Sequence, residues 1–133
     1  MSENLDLVRS IFAGWERGDY SSADWADPEI EFVIADGPAP GSWTGLDAMP
    51  LGLREILNTY EGMGGVADEY REIGADQIIV LAHPVGRAKA SGLSIELMQA
   101  KGAQLFHLRD GKVTRLVHYW ARDRALADLG LKE

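Results

Sequence analysis

Asp36 is the first residue of the sequence whose surroundings suggest chemistry. It ends the apolar stretch 30–35 and precedes a loop rich in glycine and proline. Burial in an apolar cavity raises the pKa of a carboxyl group, so an aspartate at such a strand end could abstract a proton from a carbon acid. The sequence Asp-Gly-Pro is also common in turns, where the aspartate bonds to its own backbone. Both interpretations are open.

His118 is the second candidate, because it lies between Val117 and Tyr119 in a predicted strand. The free pKa of histidine is close to neutrality, so an inward imidazole can exchange protons with a substrate. The alternative is a hydrogen-bonded histidine of the core. In their predicted strands, the side chains of His83 and His107 alternate onto the other face of the sheet, which predicts a structural or interface role. The histidine spacing matches no metal motif, and we expect neither a metal nor a cofactor.

Further side chains could shape a ligand pocket. Gln104 is an amide among apolar residues of a predicted strand and could donate a hydrogen bond to a ligand carbonyl, or could instead face a partner subunit. Aromatic and apolar side chains at helix and strand spacing are either plain core or the walls of a pocket for a flat ligand. The candidates of this kind are Trp15, Trp43, Tyr60, Leu116 and Trp120.

The composition limits the class of protein. A chain of 133 residues with 46% hydrophobic residues predicts a single domain, 1–133, with one core. A net charge of −8 opposes binding to nucleic acid or to anionic membranes. The sequence has no cysteine, no apolar run long enough to span a membrane and no signal peptide pattern. We therefore expect a cytoplasmic protein.

The pattern along the chain predicts the elements that hold these residues. Apolar residues at spacings of three and four predict an amphipathic helix over 3–17 and a second, long helix over 46–63. Residues 19–27 suggest a turn with a short helix, and residues 123–129 a short terminal helix. Residues 29–36 form a predicted strand, and 37–45 a loop that carries Trp43.

The second half of the chain reads as strand. The predicted strands are 66–73, 77–85, 93–108 and 112–121, with the Asp-Gly hairpin turn at 109–111 before the last of them. Helices followed by a meander of strands indicate an α+β fold, in which helices pack on one face of a curved, mixed or mostly antiparallel sheet. Both faces of the last strand carry apolar residues. We expect one face to meet the helices and the other a second subunit.

Several segments resemble the nuclear transport factor 2-like superfamily and, within it, the SnoaL-like group of small bacterial proteins. The resemblance rests on RGDY, DPEIEF, ASGLSIE, LRDGKVTRLVHYW and ALADLGL, and on Gly45 before the long helix. It covers nearly the whole chain. It implies a cone whose concave sheet face and helices enclose a ligand cavity, often in a homodimer formed through the convex face. The superfamily includes enzymes and binders, so the fold alone gives no function.

The resemblance also suggests residue roles. The general-base aspartate of the ketosteroid isomerase branch falls on Asp36, its second acid falls on or near Gln104, and its tyrosine falls on Ile11. The base is matched, one donor is replaced by an amide, and the phenol is absent. In the polyketide cyclase branch, acid/base groups on the inner sheet face work without metal or cofactor, a role that suits His118.

Together these observations predict a small-molecule protein. Asp36 would be the base, His118 the acid or proton shuttle, and Gln104 a polar orienting group. The reaction would be a cofactor-free isomerisation, cyclisation or dehydration of a small hydrophobic, carbonyl-bearing compound. The alternative is a non-catalytic ligand carrier or dimerisation module on the same fold.

Overall fold

The structure is a computed structural model, and it describes residues 3–16, 24–36, 40–57, 60–88 and 101–131. In these ranges helices and strands follow one another in the order helix, two strands, helix, four strands, helix. Their bounds are α1 Glu3–Glu16, β1 Ala26–Ile34, β2 Gly41–Thr44, α2 Met49–Leu57, β3 Tyr60–Ile73, β4 Gln77–Ala88, β5 Gly102–Arg109, β6 Lys112–Tyr119 and α3 Arg122–Leu129.

The strands form one mixed sheet in the order β2-β1-β6-β5-β4-β3. β1 runs parallel to β6, and the other neighbouring pairs are antiparallel. The described segments therefore confirm the predicted α+β fold, with a mixed sheet and helices packed on it. The parallel pair places the first strand of the chain beside the last, in the middle of the sheet.

The face of the sheet that meets α1 and α2 is called the inner face here. Its apolar residues share one core cluster with Val8, Ile11 and Phe12 of α1 and with Met49 of α2. The strands contribute to this cluster Ile30, Phe32, Ile34, Ile78, Val80, Ala82, Phe106, Leu108, Val113 and Leu116. Removal of the apolar surface of these residues from water is the main favourable contribution to folding in such a domain.

The opposite, outer face carries a second apolar cluster. Leu105 of β5 and Val117 of β6 are buried there together with Ala125 and Leu126 of α3. The last helix, predicted at 123–129, is confirmed, and it is followed by Gly130 in a left-handed conformation. It packs on the face that the sequence assigns to a second subunit, so α3 of the same chain accounts for the burial of these residues. Homodimer formation stays a prediction.

The predicted helix over 46–63 is wrong in its second half. α2 ends at Leu57, and β3 begins at Tyr60 instead of Val66. Residues 60–73 pair with residues 77–88 in a long antiparallel hairpin. The backbone hydrogen bonds of this ladder, although it has register shifts between Glu61 and Gly64 and between Ala67 and Glu69, outweigh the weak helix propensity of a segment with glycines at 62, 64 and 65.

Further boundaries also differ from those predicted. Trp43 lies in strand β2, which pairs with β1, and not in a loop. β1 begins at Ala26, inside the segment predicted as a turn and short helix. β6 ends at Tyr119, two residues before the predicted end. The parts of the predicted elements that fall on residues 17–23, 37–39, 58–59 and 89–100 lie outside the described residues.

The Asp-Gly hairpin turn between β5 and β6 is confirmed. Asp110 and Gly111 both have positive φ, 53° and 77°, as a type I′ turn requires. A register shift follows in the ladder, between His107 and Leu108. On β6, Val113 and Leu116 both belong to the inner cluster, so Thr114 is the extra residue of a β-bulge.

Gly52 of α2 sets how closely this helix lies on the sheet. A Cβ atom at this position would stand 2.5 Å from Phe32 Cδ2 and 2.7 Å from Trp43 Cε3. We predict that Gly52→Ala lowers the free energy of unfolding by about 1–3 kcal/mol, because overpacking outweighs the roughly 1 kcal/mol gained in helix propensity. Urea unfolding followed by circular dichroism measures the effect.

The matched control is Leu51→Ala, at a neighbouring α2 position whose side chain is half exposed. This variant should change the free energy of unfolding by less than about 1 kcal/mol. A Gly52→Ala protein that is as stable as the wild type would show that α2 does not lie on Phe32 and Trp43 in solution.

Candidate functional site

His118 lies in the middle of a transverse row of side chains on the inner face. The strand registers align it with Ile34 of β1 on one side and with Gln104 of β5 on the other. The row continues from Gln104 to Val80 of β4 and Tyr70 of β3. Paired residues of neighbouring strands point to the same face of a sheet. A polar pair is therefore enclosed between apolar neighbours.

His118 and Gln104 are hydrogen-bonded to each other. Gln104 Nε2 lies 2.8 Å from His118 Nδ1. The His118 side chain is buried, with a residue exposure of 9%. With the amide in this orientation, Nε2 of Gln104 donates to His118 Nδ1, and the proton of the neutral imidazole is then on His118 Nε2.

The hydrogen bond between the two side chains does not use their other polar atoms. Gln104 Oε1 and His118 Nε2 are both buried, and neither finds a hydrogen-bond partner in the described ranges. An unsatisfied buried polar atom costs roughly 1–3 kcal/mol, so two of them side by side need an explanation. Both atoms lie in the middle of the inner face, between the apolar residues of the row.

The burial of His118 also determines its charge. Loss of solvation lowers the pKa of the imidazole to about 4, although the negative charge of Asp36 acts in the opposite direction. His118 is therefore neutral at pH 7. A neutral imidazole can accept a proton or donate a hydrogen bond, but it is not a proton-donating imidazolium at that pH.

Asp36 follows β1 and reaches across to the end of β6. Its Oδ1 accepts the backbone N–H of Trp120 at 2.6 Å, and its Oδ2 accepts that of Ala121 at 3.2 Å. Among the described residues, the carboxylate is thus bonded to the backbone that directly follows β6. These bonds satisfy two backbone donors where the β6 ladder ends, and they hold the negative charge close enough to act on His118.

The aromatic candidates are distributed over the inner face. The Trp120 ring meets the His118 ring edge-on at 5.0 Å between centroids. Trp15 stacks on Phe106 at 6.0 Å, and Trp43 lies 6.0 Å from Phe32. Trp120 is thus the aromatic candidate in contact with the polar pair, whereas Trp15 and Trp43 pack against core residues.

Leu116 and Tyr60 are the two remaining residues that the sequence predicts for the pocket. Leu116 is fully buried in the core row next to His118, between Phe32 and Phe106 in the strand register. Tyr60 is the first residue of β3, and its side chain lies outside what the structure describes. Ile34, Val80 and Tyr70 flank the polar pair but were not among the predicted site residues. Only the strand register identifies them.

The other two histidines lie away from this row. His107 faces the outer side, where its Nδ1 lies 3.1 Å from Gln77 Nε2. His83 Nδ1 lies 2.8 Å from Asp68 Oδ1, near the edge of the sheet. Neither of them contacts His118 through the sheet, because strand alternation puts them on the opposite face.

Asp68 joins His83 to Arg122 at the start of α3. Arg122 Nη2 donates to Asp68 Oδ2 at 2.9 Å, and the same guanidinium also donates to the backbone carbonyls of Ala82 and Gly102. Burial acts to raise the pKa of Asp68, but hydrogen bonds from Arg122 and His83 outweigh it and lower that pKa. We interpret this cluster as a structural tie between α3 and strands β3, β4 and β5.

No group of three or more histidine and acidic residues in the described ranges is arranged to hold a metal ion. Within those ranges, no helix combines the length and apolar character that crossing a membrane requires.

Comparisons with known proteins give structural matches alone. No family model matches the sequence, and no curated protein matches it. An NTF2-like protein of unknown function from Burkholderia pseudomallei has a TM-score of 0.76 at 20% identity, with 96% of this chain and 97% of that chain covered. TerC, co-crystallised with polyporic acid, has a TM-score of 0.72 at 21% identity, covering 96% and 98%.

A third similar structure carries a provisional assignment as a SnoaL-like polyketide cyclase, from a Jannaschia species. Its TM-score is 0.69 at 15% identity, with 88% of this chain and 84% of that chain covered. Identities this low establish a shared fold and nothing about activity. The order of elements, the mixed sheet and these matches agree, and the chain has the nuclear transport factor 2-like fold, which it shares with SnoaL-like proteins.

Proposed function

We propose that this protein binds a small, mostly apolar compound with a carbonyl group on the inner face of the sheet. The observation that carries the proposal is the buried His118–Gln104 pair with its two unpartnered polar atoms. Binding sites for such compounds are apolar surfaces with a few convergent polar groups. The co-crystallisation of TerC with polyporic acid supports small-molecule binding on this fold.

The reaction class that suits the pair is cofactor-free acid/base catalysis. In this mechanism His118 Nε2 takes a proton from the carbon next to the ligand carbonyl, and the C–H electron pair forms the enolate. For that step the Gln104 amide turns by 180°, so that Oε1 accepts the Nδ1 proton and Nε2 is the basic nitrogen. Isomerisation, cyclisation and dehydration all begin with such a proton transfer.

Asp36 has a supporting role in this proposal. Its carboxylate bonds to two backbone N–H groups, and its negative charge favours the imidazolium that forms when His118 takes a proton. This is the role that an aspartate has beside a catalytic histidine in other enzymes. The assignment exchanges the roles that the sequence suggests, with His118 as the base and Asp36 as the residue that stabilises its charged form.

A non-catalytic carrier is the second candidate. The observation that favours it is the pKa of His118, which at about 4 makes the imidazole a weak base. A carrier needs the hydrogen bond to the ligand and no proton transfer. Deuterium uptake at the carbon next to the carbonyl, followed by NMR in deuterium oxide, separates the two: an enzyme catalyses it and a carrier does not.

The first prediction concerns binding. Cyclic ketones are titrated into the wild type and into His118→Leu, with calorimetry as the measurement. Loss of one buried hydrogen bond should weaken binding roughly tenfold. His83→Leu is the control, since His83 lies on the other face. Equal binding by all three proteins, or by none, would contradict the proposed function.

The second prediction concerns pH. The pKa of His118 in the folded protein, about 4, is lower than the ordinary histidine pKa of 6.5, so between these values the unfolded chain binds more protons than the folded one. The contribution of His118 is thus fully present above pH 6.5 and is lost as the pH falls towards 4. It should amount to about 3 kcal/mol in the free energy of unfolding.

Two measurements check this value. NMR titration of the imidazole signal, assigned with His118→Gln, should give a midpoint near 4 for His118. Urea unfolding of the wild type should also lose more stability between pH 6.5 and 4 than that of His118→Gln. A midpoint near the ordinary histidine pKa of 6.5 would show that the imidazole is solvated.

The third prediction separates the two roles of Asp36. Asp36→Asn should lower the free energy of unfolding by about 1.5–3 kcal/mol, since hydrogen bonds to a charged acceptor are lost. It should also lower the pKa of His118 further, because the favourable negative charge is removed. NMR titration and urea unfolding measure both effects.

Asp27→Asn is the matched control. Asp27 Oδ1 accepts one backbone N–H, from Glu29, in a local turn near the start of β1. Its replacement should cost less stability and leave the His118 titration unchanged. An Asp36→Asn protein with wild-type stability and no deuterium uptake would restore Asp36 as the base.

A further inference from the structure

The hydrogen-bonding capacity of the His118–Gln104 pair is fixed whichever way the amide is turned. If Gln104 Nε2 donates to His118 Nδ1, as the structure has it, the imidazole proton is on Nε2. The free groups are then a donor, His118 Nε2–H, and an acceptor, Gln104 Oε1. If the amide is reversed, the free groups are an acceptor on His118 and a donor on Gln104. Counted by atoms, each arrangement leaves one unpartnered donor atom and one unpartnered acceptor atom, and in both the amide nitrogen also carries a second N–H.

Both of these free groups are buried and without a partner in the part of the chain that the structure describes. A ligand that satisfies one of them still leaves the other desolvated, at a cost of roughly 1–3 kcal/mol. A ligand that presents an acceptor and a donor next to each other satisfies both. Sites built around buried hydrogen-bonding groups reject analogues that lack one of the matching groups.

The charges around His118 further restrict which ligand groups the pair can bind. The imidazole is neutral, and the carboxylate of Asp36 is the charged group that acts on it. No positive side chain acts on His118 among the described residues. A ligand anion would therefore meet a negative potential without a compensating charge, which favours a neutral ligand group.

We propose that the pair binds a neutral group with an acceptor and a donor side by side, such as a lactam or the enol form of a β-dicarbonyl, within a flat apolar molecule. The inference rests on the proposed small-molecule function and adds the chemistry of the ligand group. The flanking side chains of Ile34, Val80 and Trp120 suit the apolar remainder of such a molecule.

The structure contains a second Gln–His pair that serves as a control. Gln77 Nε2 lies 3.1 Å from His107 Nδ1 on the outer face. The residue types and the bond are the same, but the pair lies beside Arg115 in the strand register, and Arg115 is half exposed and paired with Glu31. In this second pair His107 Nε2 is unpartnered and buried, whereas the amide oxygen is not among the unsatisfied atoms of the described ranges.

The test uses three flat probes of nearly equal size. Carbostyril, an aromatic lactam, carries the donor and the acceptor; N-methylcarbostyril carries the acceptor alone; naphthalene carries neither. Binding of each to the wild-type protein, to Gln104→Leu and to Gln77→Leu is measured by calorimetry and by NMR. The NMR spectra also establish that each variant is folded.

The wild type should bind carbostyril roughly tenfold more tightly than its N-methyl derivative, the equivalent of one buried hydrogen bond. Gln104→Leu should lose this preference, and Gln77→Leu should keep it. If both carbostyrils bind equally and through His118, the inference is wrong and the proposed function stands; a buried water bridging the pair would give this result. If no probe and no ketone binds, the proposed function fails as well.

Discussion

The parallel pairing of β1 with β6 is the interaction on which the arrangement of the site depends. It places Ile34 beside His118 and carries the chain on to Asp36, whose carboxylate then reaches the end of β6. It also joins the β1–β2 hairpin, and through it α2, to the β3–β6 meander. Without this pairing of the two strands, Ile34 would not lie beside His118 on the inner face. The sheet is thus both the scaffold and the floor of the site.

The polar pair is costly for the fold to hold. The polar atoms of an amide and an imidazole are removed from water in a row of mostly apolar residues, and their mutual bond leaves Gln104 Oε1 and His118 Nε2 without a partner in the described ranges. Natural domains keep such arrangements where they serve a purpose, because replacement by apolar residues would be more stable. The neutral state of His118 is the direct result of this desolvation. The same burial that makes the imidazole a weak base makes its hydrogen bond to a ligand strong.

The sequence predicted the fold class well because its signals are local. The helical spacing of Val8, Ile11 and Phe12, the Asp-Gly turn and the Gly130 stop all depend on a few adjacent residues. The helix over 46–63 failed because the strand from Tyr60 onward is stabilised by pairing with a distant segment. Secondary structure that depends on a partner strand is not visible in local propensity.

The site was predicted only in part, for a related reason. His118, Gln104 and Asp36 were all singled out, but their mutual contacts require the register of three strands. Counting outward from the two-residue turn pairs Gln104 with Val117, which faces the other side. The bulge at Thr114 shifts the register by one residue and brings Gln104 opposite His118. The residue types around Thr114 do not predict this shift in register.

The contacts of Arg122 affect the order in which parts of this molecule unfold. Its guanidinium joins α3 to two strand carbonyls and to Asp68, while the apolar side of α3 covers Leu105 and Val117. Detaching the helix would break charged hydrogen bonds and expose apolar surface in a single event, so terminal fraying is opposed twice. Backbone amides of α3 should accordingly exchange with solvent hydrogen together with those of the adjoining strands, as one cooperative unit, even though short helices near a chain end usually exchange early.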